Sequence, residues 1–313
     1  MAVMNGNPVD NSNLYLLCES IAGAGASGRF ARRAPRATMT AMRTISLKAF
    51  AFCIAAAVLV LAAPRPATAQ TSVDLELVIA VDVSLSMDQD EQRLQREGYV
   101  AAFRDAEMHK AILSGPHGKI AVVYMEWAGP PSQQVVIPWT VLDSPAAANA
   151  FASRLEQQPI TRARMTSISA ALRFSGDLFD TSRARGIRRV IDVSGDGPNN
   201  SGLPIVPVRD ELIAKGIVIN GLPIMLKSAV GFFDLRDLDR YYTDCVIGGP
   251  GAFMVPVKEM SEFKSAIRRK LLLEISGLEP QPRLIPAQGP NVGSDCLIGE
   301  RQWQWYLDNR LPN

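Results

Sequence analysis

Segments with the pattern of β-strands alternate with segments with the pattern of α-helices from residue 73 to about residue 276. The strand patterns are short apolar runs such as VDLELVIAVDV, RRVIDVSGDG and AFMVPV. The helix patterns are amphipathic, as in SPAAANAFASRLEQQ and in residues 88–113, where Asp88 is the expected N-cap. Such alternation predicts a mostly parallel sheet with helices on both faces. KIAVVYMEWA and QQVVIPW are separated by a Gly-Pro-Pro turn, which predicts one antiparallel edge strand. The expected fold is a doubly wound, Rossmann-like α/β sheet, whose binding sites form beyond the carboxyl ends of the strands.

The residues before this alternation have the pattern of an export signal. From Met42, a short basic region, an apolar run of about fifteen residues and Ala67-Thr68-Ala69 predict a signal peptide over 42–69, cleaved before Gln70. The run is short for a membrane span, so an uncleaved anchor is the alternative and the only predicted route to a membrane. Residues 1–41 are expected to be an N-terminal extension or the product of a misplaced start. The protein is therefore expected to be periplasmic or secreted.

The remaining sequence divides into a domain at 72–277 and a C-terminal tail at 278–313. The tail is rich in Pro and Gly and carries Trp303, Trp305 and Tyr306 near its end. We expect these rings to pack onto the domain, and a partner-binding patch is the alternative. Outside the first 69 residues the chain holds 26 basic and 29 acidic side chains, a net charge of −3. A weakly acidic body with no basic cluster argues against nucleic acid as the partner.

Two cysteines lie outside the predicted leader, Cys245 and Cys296. In an exported protein, such a pair is more typical of a disulfide than of a metal site, which usually needs four ligands at close spacing. The bond would tie the tail to the main domain.

The stretch AVDVSLSMD places oxygen-bearing side chains at alternate positions directly after a buried-type strand: Asp82, Ser84 and Ser86. If the strand continued, all three side chains would point to the same side. Thr166, at a predicted helix start, and Asp196, at the end of RRVIDVSGDG, add donors from two later loops. Capping of the following helix is the alternative explanation for the first three residues, but it does not explain the last two.

The three motifs together resemble the von Willebrand factor A domain with its metal-ion-dependent adhesion site. They are VIAVDVSLSMD, MTSISAAL and VIDVSGDG, in the family's order, and the resemblance covers about residues 73–276. DCVIGGPGAFMVPV is similar to a branch found as exported proteins of Gram-negative bacteria, a domain of unknown function, and implies no particular activity.

The resemblance implies a metal-ligand set of Asp82, Ser84, Ser86, Thr166 and Asp196, with some of these residues acting through water. Two positions depart from the family pattern. Arg164 stands where the threonine loop usually has a glycine, and Gly195 stands where a threonine usually precedes the last aspartate.

Neutral hydroxyls with one or two carboxylates suit Mg²⁺, which takes six oxygen ligands. Mn²⁺ and Ca²⁺ are possible, whereas zinc would prefer nitrogen or sulfur. A cation with few negative ligands remains able to bind an Asp or Glu carboxylate of a protein ligand, so we expect a binding module rather than an enzyme. The alternatives are a structural scaffold with a degenerate site and a metal-dependent hydrolase. For the hydrolase, the sequence supplies no companion base, because its only histidines, His109 and His117, lie in a helix pattern and a turn.

Overall fold

The computed structural model describes residues 70–226, 233–277 and 293–310. The predicted extension 1–41, the predicted signal peptide 42–69 and residues 278–292 of the tail lie outside the described residues. Within the described ranges, no helix is both long and apolar enough to cross a membrane.

Five strands form one mixed sheet in the order β3-β2-β1-β4-β5. The strands are β1 (Thr71–Asp82), β2 (Ile120–Trp127), β3 (Gln133–Leu142), β4 (Ala184–Gly195) and β5 (Ile217–Pro223). β1 runs parallel to β2 and β4, and β4 runs parallel to β5, whereas β3 is antiparallel to β2. The mostly parallel sheet with one antiparallel edge strand confirms the predicted fold class.

The helices connect these strands and cover the sheet. They are α1 (Gln89–Arg104), α2 (Ala106–Leu113), α3 (Pro145–Glu156), α4 (Ile168–Thr181), α5 (Ile205–Ala214), α6 (Leu238–Tyr241), α7 (Phe263–Ser276) and α8 (Ile298–Arg310). A π-helical turn, Tyr242–Val246, continues α6, and a 3₁₀ turn, Met260–Glu262, precedes α7. Asp88 caps α1 as predicted, in a reciprocal arrangement with Glu91.

Alternate residues of β1 point into two hydrophobic cores, one on each face of the sheet. Leu77 and Ile79 belong to the core under α1, α3 and α7. Val78 and Ala80 belong to the core under α4 and α5. β1 is buried from Val73 to Asp82, because both faces of this central strand are covered. Its carboxyl end is therefore a rigid point from which to position a site.

Three local expectations were wrong. The helix predicted over 88–113 is two helices, because Asp105 is extended (φ −74°, ψ 137°) and its carboxylate caps α2. AFMVPV, predicted as a short strand, makes only isolated bridges, through Met254 and Val257. The tail includes a regular helix, α8, which its Pro- and Gly-rich composition did not predict.

The predicted disulfide between Cys245 and Cys296 is present and joins the π-helical turn to the segment before α8. Trp303 and Tyr306 pack against each other and against Phe233, with ring centroids 5.5–5.8 Å apart. The expected packing of the tail rings onto the domain therefore holds for these two residues.

Candidate metal centre

Asp82 is the last residue of β1, and its side chain is completely buried. Oδ1 accepts a 2.7 Å hydrogen bond from the backbone N–H of Ser84. Oδ2 is buried and has no hydrogen-bond partner among the described residues. A buried carboxylate oxygen without a partner is costly, because desolvation is not compensated by any contact.

The two serines reach the same point through a turn and not through a continued strand. Ser84 is buried and makes one parallel bridge to Ala163, which prolongs β1 by two residues. The chain then turns, with the N–H of Met87 donating to the carbonyl of Ser84. The turn brings Ser86 Oγ to 2.8 Å from Ser84 Oγ. The convergence of the hydroxyls was predicted, but the strand alternation proposed to cause it ends at Ser84.

Asp196 follows β4 and completes a continuous row of polar contacts. Its Oδ1 accepts a 2.7 Å hydrogen bond from Ser86 Oγ. Hydrogen bonds therefore connect four of the five predicted residues one after another: Asp82, Ser84, Ser86 and Asp196.

Thr166 lies two residues before α4, next to the N-cap Ser167, and is buried. Asn200, in the loop after β4, accepts from the Thr166 N–H and donates from its own N–H to the Thr166 carbonyl, both at 2.9 Å. The Thr166 hydroxyl makes no hydrogen bond in the described part of the chain, and the residue lines the same cavity as Ser86 and Asp196. All five predicted residues thus border one place at the carboxyl ends of β1 and β4.

The structure describes both positions that depart from the family pattern. Met165, between Arg164 and Thr166, has a positive φ of 71°, a conformation that residues other than glycine rarely adopt. At Gly195, an added Cβ would lie 2.9 Å from Asp82 Oδ2 and 3.0 Å from Tyr242 Oη. A threonine has no room there, because Tyr242 from the π-helical turn occupies the neighbouring space.

The electrostatics of the site are dominated by burial. Burial, followed by the negative charge of Asp196, raises the pKa of the Asp82 carboxyl well above its usual value. Burial and then the charge of Asp82 also raise the pKa of Tyr242 well above its ordinary value, which keeps this phenol protonated. A nearby positive charge would favour the ionised form of Asp82.

Sequence reasoning missed Asn200 and Tyr242, which shape the site without being predicted ligands. The Asn-Asn pair in GDGPNNSG was an available signal, since asparagine side chains often bond to neighbouring backbone in loops. Tyr242 carried no signal, because its π-helical turn was not predicted.

Polar side chains in the neighbouring strands and helices have partners of their own. Glu126 of β2 pairs with Arg96 and accepts from Thr161 at 2.6 Å, and Asp192 of β4 pairs with Lys270. His109 Nε2 lies 2.9 Å from the carbonyl of Phe103.

The described residues hold no group of three or more His, Cys, Asp or Glu side chains able to bind a metal. The cluster at β1 and β4 is of another kind, since it has three hydroxyls and two carboxylates. Such a donor set fits a hard cation that prefers oxygen. The partnerless Asp82 Oδ2 is a buried acceptor whose lone pairs a cation would satisfy, and the positive charge would favour the ionised form of this carboxyl.

A central parallel sheet with one antiparallel edge, with hydroxyls and carboxylates at the ends of β1 and β4, defines an α/β domain of the von Willebrand factor A type. Residues 72–279 match the model of the family described as protein of unknown function (DUF1194), and the chain belongs to that family. No curated protein matches the chain.

Several solved structures are similar to this chain at low sequence identity. Proximal thread matrix protein 1 from the mussel byssus, in a structure with a zinc-occupied MIDAS motif, is 12% identical with a TM-score of 0.50. That match covers 66% of this chain and 49% of the mussel chain, so the chain spans about half the length of that protein. A von Willebrand factor type A structure from Catenulispora acidiphila is 17% identical (TM-score 0.42), with 65% of this chain and 43% of that chain covered. The hypothetical protein BatB from Bacteroides thetaiotaomicron is also 17% identical (TM-score 0.44), with coverages of 65% and 99%.

Proposed function

We propose that the protein is an exported binding module that holds one divalent cation and uses it to recognise an acidic group on a protein partner. The residues that would hold the cation are Asp82, Ser84, Ser86, Thr166 and Asp196. The proposal is carried by the buried Asp82 Oδ2, which has no hydrogen-bond partner among the described residues. This oxygen lies next to the hydrogen-bonded row of Ser84, Ser86 and Asp196. A cation would satisfy its lone pairs.

Magnesium is the cation that this donor set favours. It prefers oxygen ligands and usually keeps several waters, so three hydroxyls and two carboxylates can hold it without enclosing it. Mn²⁺ and Ca²⁺ have compatible preferences. When bound, the cation would supply a positive centre that attracts a carboxylate.

The partner is proposed to offer an Asp or Glu side chain. The site opens onto a cavity through Ser86, Thr166 and Asp196, so a ligand group has access from solvent. An acidic partner group is the complement of a cation whose protein ligands are mostly neutral.

Export is supported by the Cys245–Cys296 disulfide, since such bonds persist in oxidising compartments. Together with the predicted leader over residues 42–69, the bond supports a periplasmic or secreted protein.

Calorimetric titration of Mg²⁺ and Mn²⁺ into the purified protein tests the proposal. We expect saturable binding in the wild type and its loss in Asp82→Ala. Asp90→Ala is the matched control, because Asp90 lies nearby in sequence but its carboxylate is exposed and pairs with Arg93. Absence of binding in the wild type would overturn the proposal.

One observation favours a second candidate function, a structural scaffold with a degenerate site. The Ser84 and Ser86 hydroxyls and the Asp196 carboxylate already bond to one another. In a scaffold these contacts would serve only to join the loops after β1 and β4. The same titration separates the two functions, since a scaffold predicts no saturable binding.

A further inference from the structure

A cavity of about 440 Å³ adjoins the candidate metal centre at the carboxyl ends of β1 and β4. Ser86, Thr166 and Asp196 border it on one side. The far side comes from the segment that follows β5 and from residues that precede α6. Its volume is typical of a ligand pocket.

The far wall of this cavity is largely apolar. Met225 and Leu226 follow β5, and Phe233, Leu235 and Leu238 lie before and within α6. The Phe233 ring is 37% exposed and therefore remains partly accessible to a ligand. An apolar wall facing an oxygen-rich centre makes a pocket with two chemically distinct ends, which favours a ligand with a polar and an apolar part.

One cationic side chain also lines the cavity. Arg236 is exposed and makes no ion pair or hydrogen bond in the described part of the chain. Two acidic residues in the lining are already engaged, Glu91 in the cap of α1 and Asp234 in another contact. The guanidinium is therefore available to a carboxylate, which it can bind through two parallel hydrogen bonds.

The C-terminal helix holds the apolar wall in place. Gln302 of α8 lines the cavity, while Trp303 and Tyr306 pack against Phe233. Glu300 accepts a 2.7 Å hydrogen bond from Asn199, a buried residue three positions after Asp196. The disulfide anchors the start of this segment. Phe233 is thus held by contacts that need no ligand, which lowers the entropy cost of ordering its ring on binding.

We propose that this cavity, named here the side pocket, binds a bulky apolar side chain next to the acidic residue of the partner. The partner carboxylate would reach the candidate cation, and Arg236 would bind a second acidic group beyond it. This inference rests on the proposed function and specifies its ligand: a peptide segment with a large apolar residue followed by two acidic residues.

Fluorescence anisotropy with two labelled, acetylated peptides tests the side pocket. The peptides are Gly-Phe-Glu-Asp-Gly and Gly-Ser-Glu-Asp-Gly, each titrated with the protein in Mg²⁺ and in EDTA. We expect the Phe peptide to bind at least about tenfold more tightly than the Ser peptide, because burial of an aromatic side chain contributes more than 1.4 kcal/mol. EDTA should weaken the binding of both peptides.

Two variants test whether the side pocket causes the tighter binding of the Phe peptide. Phe233→Ala should reduce the preference for the Phe peptide to less than about threefold, with Ile187→Ala, a residue 62% exposed on β4, as its control. Arg236→Gln should weaken both peptides about tenfold, as expected for loss of a charge-assisted hydrogen bond. Arg185→Gln, at an exposed arginine of β4, is its control.

Calorimetry with Mg²⁺ distinguishes failure of the pocket from failure of the proposed function. Cation binding should be unchanged in Phe233→Ala and Arg236→Gln, because neither residue belongs to the candidate ligand set. Equal affinity of the two peptides, or no binding of either, with cation binding intact would overturn the side pocket alone. Absence of cation binding in the wild type would overturn both proposals.

Discussion

The Ser86 hydroxyl donates a 2.7 Å hydrogen bond to Oδ1 of Asp196, a residue 110 positions later in the chain. This bond joins the loop after β1 to the loop after β4. Asp82 ends β1 within the same group of residues, where one of its carboxylate oxygens has no hydrogen-bond partner among the described residues. The site therefore combines a satisfied row of hydroxyls with an uncompensated buried charge.

Replacement of Asp82 by Asn should have opposite effects on stability with and without a cation. In EDTA, Asp82→Asn should raise the melting temperature, because the amide removes a buried charge while keeping the shape of the side chain. With Mg²⁺ at about 100 times its Kd, the wild type should gain about 2.7 kcal/mol and the variant should gain nothing. Differential scanning calorimetry in both buffers measures the crossover.

The stability difference between Asp82→Asn and the wild type in EDTA should also depend on pH. A carboxyl whose folded pKa is raised destabilises the protein at pH values above its unfolded pKa, and this penalty disappears as pH falls through the ordinary Asp value of about 3.9. The advantage of the variant in EDTA should therefore be largest at neutral pH and close on acidification. If the stability difference between the variant and the wild type did not change with pH, the raised pKa of the buried Asp82 carboxyl would be contradicted.

An added methyl group at Gly195 should destabilise the protein. Gly195→Ala places a Cβ 2.9 Å from Asp82 Oδ2 and 3.0 Å from Tyr242 Oη, so we expect a loss of about 1–3 kcal/mol in the free energy of unfolding. Gly197→Ala is the matched control, because its added Cβ meets nothing within 4 Å, and it should change stability by less than about 0.5 kcal/mol. Urea unfolding measures both.

Combination with Tyr242→Phe tests the cause of this loss. Removal of the phenol oxygen relieves one of the two close approaches, so the double variant should lose less than the sum of the two single losses. Simple additivity would show that Tyr242 does not occupy the space left by the missing side chain.

The five candidate residues could be grouped from the sequence because their positions follow local rules, and their role as metal ligands stays a prediction. Asp82 follows a strand buried on both faces, and Asp196 follows the adjacent parallel strand, so both must lie at the same edge of the sheet. The route of the chain between Ser84 and Ser86 was not predictable in this way, because a turn of a few residues depends on its tertiary contacts.

The sequence did not predict the walls of the side pocket. Phe233 meets Trp303 and Tyr306 of α8, a helix that the disulfide and the Glu300–Asn199 bond also tie to the domain. These are long-range contacts, and the composition of the tail gave no sign of a helix. The sequence predicted that the rings of the tail pack onto the domain. It did not predict that Phe233 is their partner.

Stability should fall as pH rises from about 4.5 to about 7 because of Glu274. Burial, followed by the charge of Asp192, raises its pKa to about 7, although Lys270 lies 2.5 Å away. Between the unfolded and the folded pKa of Glu274, the folded protein binds more protons than the unfolded protein. The free energy of unfolding therefore falls as the pH rises, by on the order of 3 kcal/mol over the whole interval. Urea unfolding across this range measures the slope.

Glu274→Gln should flatten that slope, because the amide does not titrate. Glu262→Gln, at an exposed residue directly before α7, should leave the slope unchanged. A slope that persists in Glu274→Gln would assign the proton uptake to another group.

Loss of the disulfide should destabilise the protein and loosen α8. Cys296→Ser opens a cross-link between residues 51 positions apart, which in the chain-entropy model stabilises the folded state by about 4 kcal/mol. Hydrogen exchange should accelerate most in α8, because its remaining contacts with the domain include the Phe233 ring cluster and the Asn199 bond. Reduced wild type should match the variant in both measurements. Unchanged exchange in α8 would mean that the ring cluster and the Asn199 bond hold the helix without the disulfide.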